Sequence, residues 1–239
     1  MLKKTLQEQQ FLPGLLGIWV NPFYLARKEL YREMVRCAPA LKGRLLDVGC
    51  GQKPYVHLFD VDEYVGLEID TPENRLHKNA DQYYDGTRFP FPDTCFDSVL
   101  CNQVLEHVFE PTAFLSEIRR VLRPGGRLLL TVPFAWDEHE QPWDYARYTS
   151  LGLRYLLEGG GFILREHRKM NADARVIFQL AITYLYKVLR TQHPWLNLGI
   201  CTIIMAPITL LGLLFHRILP ANPDLYLDQV VLAERGEDV

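Results

Sequence analysis

A doubly wound α/β domain built on a mostly parallel sheet is what this 239-residue chain predicts. Three observations lead there. The apolar run Leu45-Leu46-Asp47-Val48 drives into a glycine-X-glycine turn, Gly49-Cys50-Gly51. Such a run reads as a buried parallel strand, and a turn without Cβ atoms lets a ligand lie against bare backbone. A second apolar strand, Tyr64-Val65-Gly66-Leu67, closes on Glu68, nineteen residues after Gly49. An acidic group in that position can accept hydrogen bonds from a ribose diol. Downstream, strands alternate with helical patterns at the spacing of βαβ units.

The elements follow in order. Residues Leu25 to Leu41 place Leu30, Met34 and Val35 against Arg27, Lys28 and Glu33 at helical spacing, which predicts a helix ahead of the first strand. Strands are expected at 44–48, 63–68 and 97–100, the last being Asp97-Ser98-Val99-Leu100. Thr112 to Leu122 reads as an amphipathic helix, stopped by the turn Arg123-Pro124-Gly125-Gly126. Strands follow at Arg127–Val132 and Phe162–Arg165, with Thr149 capping a helix that begins near Leu151. A final strand is expected over Leu225–Ala233.

Length and charge narrow the class. The chain suits one α/β domain over 1–239, with an N-terminal helical segment (1–40) and a hydrophobic helical insertion (170–222). Its formal net charge of -3 carries no electrostatic footprint for nucleic acid. Five cysteines, at 37, 50, 95, 101 and 201, show no paired ligand spacing, so no metal is expected and a reducing cytoplasm is the simple reading. The first twenty residues lack the order of a signal peptide, because polar TLQEQQ follows Lys3 and Lys4.

What is missing selects the ligand. A dinucleotide turn wants a third glycine three positions after Gly51, where this chain has Pro54. A phosphate-cradling Gly-Lys-Ser/Thr is absent too, so a nucleoside without phosphates, S-adenosylmethionine (SAM), is the better candidate. The ordered segments LDVGCG, YVGLEID, FPFPDTCFDSVLCNQVLEHV and LRPGGRLLLTVPF resemble the motifs of class I SAM-dependent methyltransferases, in their type 11 form, over roughly residues 40–168. The resemblance implies a seven-stranded Rossmann-like sheet whose last strand is antiparallel, with the apolar insertion before it.

It also implies a site. Asp47, Gly49, Cys50 and Gly51 would form the turn under the methionyl end of the cofactor, and Glu68 would take the ribose. Asp85-Gly86 lies four residues before Phe89-Pro90-Phe91, the family's spacing for the acid that meets adenine; Asp81 competes for that role. Asn102 and Gln103 would line the pocket. His107 reads either as a general base or as a histidine that fixes its loop, and Glu106 as a helix-start charge. After the 127–132 strand come His139, Pro142, Trp143, Asp144, Tyr145, Arg147, Tyr148 and Thr149, where an acceptor should enter. This order resembles methyltransferases associated with bacterial surface glycans, and rings beside charged groups suit sugars. His139 and Asp144 are therefore candidates for acid–base work, against a structural alternative in which Asp144 pairs with Arg147.

The expected reaction is methyl transfer to a small molecule or glycan, chiefly O-methylation of a sugar or lipid-linked glycan. An apolar, quinone-like or lipid acceptor and a non-catalytic SAM-binding scaffold remain alternatives. Trp195 to Phe215 holds no charged residue, which is unusual in a soluble methyltransferase. A span is disfavoured by Pro207 and by topology, since two strands of one sheet flank the segment. Residues 176–219 are read as a hairpin for peripheral contact with the inner face of the cytoplasmic membrane, or as core, or as a homodimer interface.

Overall fold

The computed structural model describes residues 2–237. Along the chain run α1 (Leu2–Phe11), α2 (Gly17–Val20), α3 (Tyr24–Cys37), β1 (Arg44–Val48), β2 (Glu63–Ile69), α4 (Pro72–His77), β3 (Gln82–Tyr84) and β4 (Phe96–Asn102). There follow α5 (Pro111–Val121), β5 (Leu122–Pro133), α6 (Ser150–Gly159), β6 (Phe162–Met170), α7 (Arg175–Leu189), α8 (Pro194–Ile200), α9 (Ala206–Ile218) and β7 (Asp228–Arg235).

Seven strands form one sheet in the order β3-β2-β1-β4-β5-β7-β6. β1 pairs in parallel with β2 and β4, and β4 with β5, so that Val48 lies level with Leu67 and Cys101, and Cys101 with Leu130. This register delivers Gly49, Glu68, Asn102 and Thr131 to a single edge, where the strands' carboxyl ends open into loops. β6 and β7 run antiparallel: the pairs Gly161–Gly236, Arg165–Glu234 and His167–Gln229 climb one strand as they descend the other. The expected Rossmann-like sheet with an antiparallel last strand is the one observed.

The central strands are apolar on both faces because both are covered. Leu46, Val99, Leu128, Leu130 and Val231 are entirely inaccessible and share one core. α5 turns Phe114, Leu115, Ile118 and Val121 inward, one face at helical spacing. Arg120, on the last turn of α5, ties the Phe89–Phe91 segment down. Its guanidinium donates to the carbonyls of Phe89 and Phe91 and pairs with Glu117 at 2.8 Å, while Glu117 accepts the Phe89 N–H. Thr149 caps α6 as expected, accepting from the Gly152 N–H at 3.1 Å.

Three differences from the sequence reading have local causes. Arg123–Gly126, expected as a free turn, is carried inside β5 as a bulge: Phe96 faces Leu122, but Ser98 faces Arg127. Gly125 takes the left-handed φ of +74° that such a bulge needs. β3 has only three residues at the sheet edge, too short to leave an alternating pattern. The last strand starts at Asp228 because a turn closed by the Leu225 N–H on the Asn222 carbonyl comes just ahead of it.

The chain divides into two compact units. The sheet unit comprises Met34–Phe134, Glu138–Arg168 and the chain from Gln229 onward; the helical unit runs to Glu33 and takes in Ala135–Asp137 and Lys169–Asp228. The helical unit has its own core, in which Tyr24, Leu25, Ile182 and Met205 are buried. Phe178 stacks on Phe215 with ring centres 5.6 Å apart. Gln179 is wholly inaccessible and spends its amide on backbone, donating to the Pro22 carbonyl at 2.9 Å and accepting from the Ala26 N–H at 3.3 Å. Pro207, which lacks an N–H, does not break the apolar segment. A π-turn over Cys201–Met205 precedes it, with the Ala206 N–H bonded to the Cys201 carbonyl, and Pro194–Ile218 continues as one helix of 25 residues.

Replacing Gln179 with Ala leaves the Ala26 donor and the Pro22 acceptor buried without that amide. We expect a loss of about 1–3 kcal/mol, read as a lower midpoint in urea with an unchanged slope.

Candidate functional site

The turn after β1 is shaped by two glycines used in different ways. Gly49 has φ +69°, and its N–H donates to the Leu67 carbonyl at 2.9 Å. The space a Cβ would occupy there is filled by Val104 Cγ2. Gly49 is thus demanded by packing against the loop that follows β4. Gly51, with φ +53°, has nothing within 4 Å of an ideal Cβ. Bare backbone is open to a ligand at Gly51, not at Gly49. Cys50 is buried between them, and burial pushes its thiol up to about 12.

Acidic groups gather behind this turn. Asp47 is 4% exposed and accepts the Tyr64 hydroxyl at 2.6 Å. Burial raises its carboxyl to about 7, with Tyr64 opposing the shift and Glu68 adding to it. Glu68 ends the buried part of β2 and accepts the Gly51 N–H at 3.1 Å. A carboxylate oxygen, an open amide turn and no basic phosphate clamp form a donor–acceptor set that suits a nucleoside with a free amino-acid end. Asp81 is occupied elsewhere: it accepts the Gly66 N–H at 2.6 Å and pairs with Lys53 at 2.5 Å. Asp85 is exposed, and accepts from the Thr87 amide and hydroxyl and the Arg88 amide, which holds the 85–88 turn with Gly86 at φ +87°. At the end of β4, Asn102 accepts from the Thr131 hydroxyl at 2.8 Å. Gln103 takes a left-handed φ of +56° and donates its N–H to the Thr131 carbonyl at 3.0 Å. That sharp turn lifts the following residues over the sheet edge.

There the chain forms a short 3-10 turn, Leu105–His107. His107 and His139, 32 residues apart in sequence, meet edge to face with ring centres 4.9 Å apart. His107 Nδ1 is 2.6 Å from the Trp143 carbonyl oxygen. His139 Nδ1 is 3.3 Å from Asp144 Oδ2, and the His139 N–H donates to the same oxygen at 2.9 Å. Arg147 grips Asp144 with bonds of 2.6 and 2.7 Å. That grip holds the Asp144 carboxyl down at about 2. The Asp144–Arg147 pair is real, and it positions His139 at the same time. Around the histidines, Phe109 and Tyr145 meet edge to face at 5.2 Å, and Trp143 is 63% exposed.

Glu106 lies in the first turn of the short 3-10 helix Leu105–His107, ahead of α5, which begins at Pro111. It is fully buried, and its carbonyl accepts the amides of Tyr145 and Ala146, tying the 105–107 turn to the aromatic loop. An acid flanked by Leu105 and Val108 was the available signal.

The strand order, the open turn after β1 and the acid at the end of β2 define a class I, SAM-dependent methyltransferase fold. Residues 46–130 match the methyltransferase domain family. Among curated proteins it is similar to the 27-O-demethylrifamycin SV methyltransferase of Amycolatopsis mediterranei, 31% identical over 36% of this chain and 37% of that one. It is also similar to a "Probable S-adenosylmethionine-dependent methyltransferase" of Mycolicibacterium smegmatis, 30% identical over 64% and 63% of the two chains. The chain thus spans between a third and two thirds of the length of these relatives. In fold it is similar to a SAM-dependent methyltransferase from Archaeoglobus fulgidus, with a TM-score of 0.54, 16% identity and coverage of 97% and 99%.

Two outcomes follow. Gly49→Ala forces a side chain onto Val104 at a left-handed φ and should cost about 2–4 kcal/mol in chemical denaturation; Val104→Ala in the same chain should restore only part. A carboxyl titrating near 4 unfolded and about 7 folded favours the folded chain most below pH 4 and loses that advantage as pH rises to about 7. Asp47→Asn should therefore gain stability relative to the parent between pH 4 and 8, by at most about 4 kcal/mol, measured by melting of the ligand-free protein.

Proposed function

We propose that this chain transfers the methyl group of SAM to a hydroxyl of a sugar or lipid-linked glycan. The observation that carries the reading is the convergence of His107 and His139 among exposed aromatic rings, on the edge that also bears Gly51 and Glu68. In this reading Asp47, Gly49, Cys50 and Gly51 form the turn under the methionyl end, and Glu68 takes the ribose diol. Asp85 and Gly86 border the adenine, while Asn102 and Gln103 line the pocket. When bound, the cofactor supplies a methyl on a positively charged sulfur. The protein's task is to hold the acceptor oxygen in line and dry, and to ease removal of its proton. His107 and His139 serve the proton, and Asp144, locked by Arg147, orients His139. Trp143, Tyr145 and Phe109 offer faces for the apolar side of a pyranose ring.

The lipid-linked form is supported by the helical unit. Trp195, Ile203 and Ile218 are 73%, 74% and 63% exposed, and Lys187, Arg190, His216 and Arg217 sit near the ends of the apolar helices. The segment leaves β6 and returns to its partner strand β7, so it cannot cross a bilayer once. Lying in the headgroup boundary at the inner face of the cytoplasmic membrane satisfies both facts.

Purified protein with methyl-labelled SAM and extract of its own host should place label in the organic phase. Label confined to water would sink the lipid link and leave a soluble acceptor. His107→Ala and His139→Ala should each lower kcat by about a hundredfold; full turnover in both would remove their role. Glu68→Ala should weaken binding of S-adenosylhomocysteine at least about tenfold by calorimetry.

A further inference from the structure

The long helix Pro194–Ile218 turns one face inward and leaves an apolar face uncovered. Cys201, Met205, Thr209 and Gly212 recur at helical spacing and are buried, with Leu25 and Phe178 closing on Gly212. Ile203, Pro207, Leu210, Leu214 and Ile218 recur at the same spacing and are exposed. α7 repeats the arrangement: Val176, Gln179 and Thr183 are buried, while Ile177, Ala181, Tyr184 and Val188 are exposed. Uncovered apolar stripes of this length mark an interaction face. Asn197 fixes the turn between the two helices, its amide accepting from the Thr191 N–H at 2.8 Å and donating to the Thr191 carbonyl at 2.9 Å. Trp195 and Leu196 stand exposed on that fixed turn.

Charge decides what covers the face. Residues 174–223 contain no Asp or Glu, although the whole chain has a net charge of -3. Arg175 pairs with Asp173 and Glu29, and Lys187 with Asp137 at 2.6 Å. Arg190 and Arg217 are both exposed and bracket Pro194–Ile218, a helix of 25 residues and roughly 37 Å. We propose that this face docks on a bilayer carrying anionic phospholipid, with the helix along the surface and an arginine among the headgroups at each end. Plunging either end into hydrocarbon would carry one of the two charges with it, at a cost of several kcal/mol that lying flat avoids. A second copy of the chain would set the same acid-free segment against itself, positive face to positive face. The proposal rests on the lipid-linked reading above and deepens it by naming the headgroup chemistry, a negative charge that complements the arginines.

The test is co-sedimentation of the whole chain with vesicles of phosphatidylcholine alone, or of phosphatidylcholine and phosphatidylglycerol in equal parts. We expect partition onto the mixed vesicles to be at least about tenfold stronger than onto neutral ones, and to weaken with salt. Arg190→Gln and Arg217→Gln, both surface changes, should each lower it about fivefold. Tryptophan emission should shift to the blue on mixed vesicles and lose most of that shift in Trp195→Phe. Equal partition onto both vesicles would overturn the anionic partner while leaving a membrane contact standing. No partition onto either would overturn that contact as well. A full blue shift retained in Trp195→Phe would overturn the assignment of this face. A lipid-free dimer that Ile203→Glu dissociates would seat a second copy there and overturn the proposal. Binding of S-adenosylhomocysteine to the same samples judges the methyl-transfer reading separately, because Gly51 and Glu68 belong to the sheet unit.

Discussion

The contact of Val104 with the bare Cα of Gly49 is the constraint on which the functional edge depends. It presses the loop after β4 against the turn after β1, with no side chain between them. The left-handed Gln103 directs the chain into that contact, and Leu105–His107 follows at once. A larger residue at 49 would lift the whole histidine turn. The open turn at Gly51 and the imidazole of His107 are thus set by one steric relationship rather than by two independent loops.

A second constraint is electrostatic. Asp47 and Glu106 are acids taken out of water behind the same edge, and each must be compensated locally. Asp47 holds the Tyr64 hydroxyl and sits high on the pH scale. Asp144 is the opposite case, strongly ionised under the fork of Arg147. The edge therefore carries carboxyls of very different proton affinity, Asp47 high and Asp144 low.

Much of this was legible in the sequence, because it lies in local chemistry. The buried strands, the glycine turn, Glu68 and the Thr149 cap follow from periodicity and from residue types with few uses. The Asp144–Arg147 pair could be named from a three-residue spacing. The meeting of His107 with His139 could not, since only the fold folds 32 residues of chain back on itself. Glu106 read as a helix-start charge, because flanking Leu105 and Val108 alone do not show that the aromatic loop ties itself to its carbonyl. The packing demand on Gly49 was hidden for a similar reason: the side chain that fills its vacant volume comes from 55 residues downstream.

The apolar segment leaves the sheet at one strand and re-enters at that strand's antiparallel neighbour. An excursion with such closely spaced ends can grow, shrink or be exchanged without shifting the register of any other strand. In evolutionary terms it is a cassette. The strand ends that carry Gly51, Glu68 and Asn102 all precede Lys169, so the segment could change under selection without altering them.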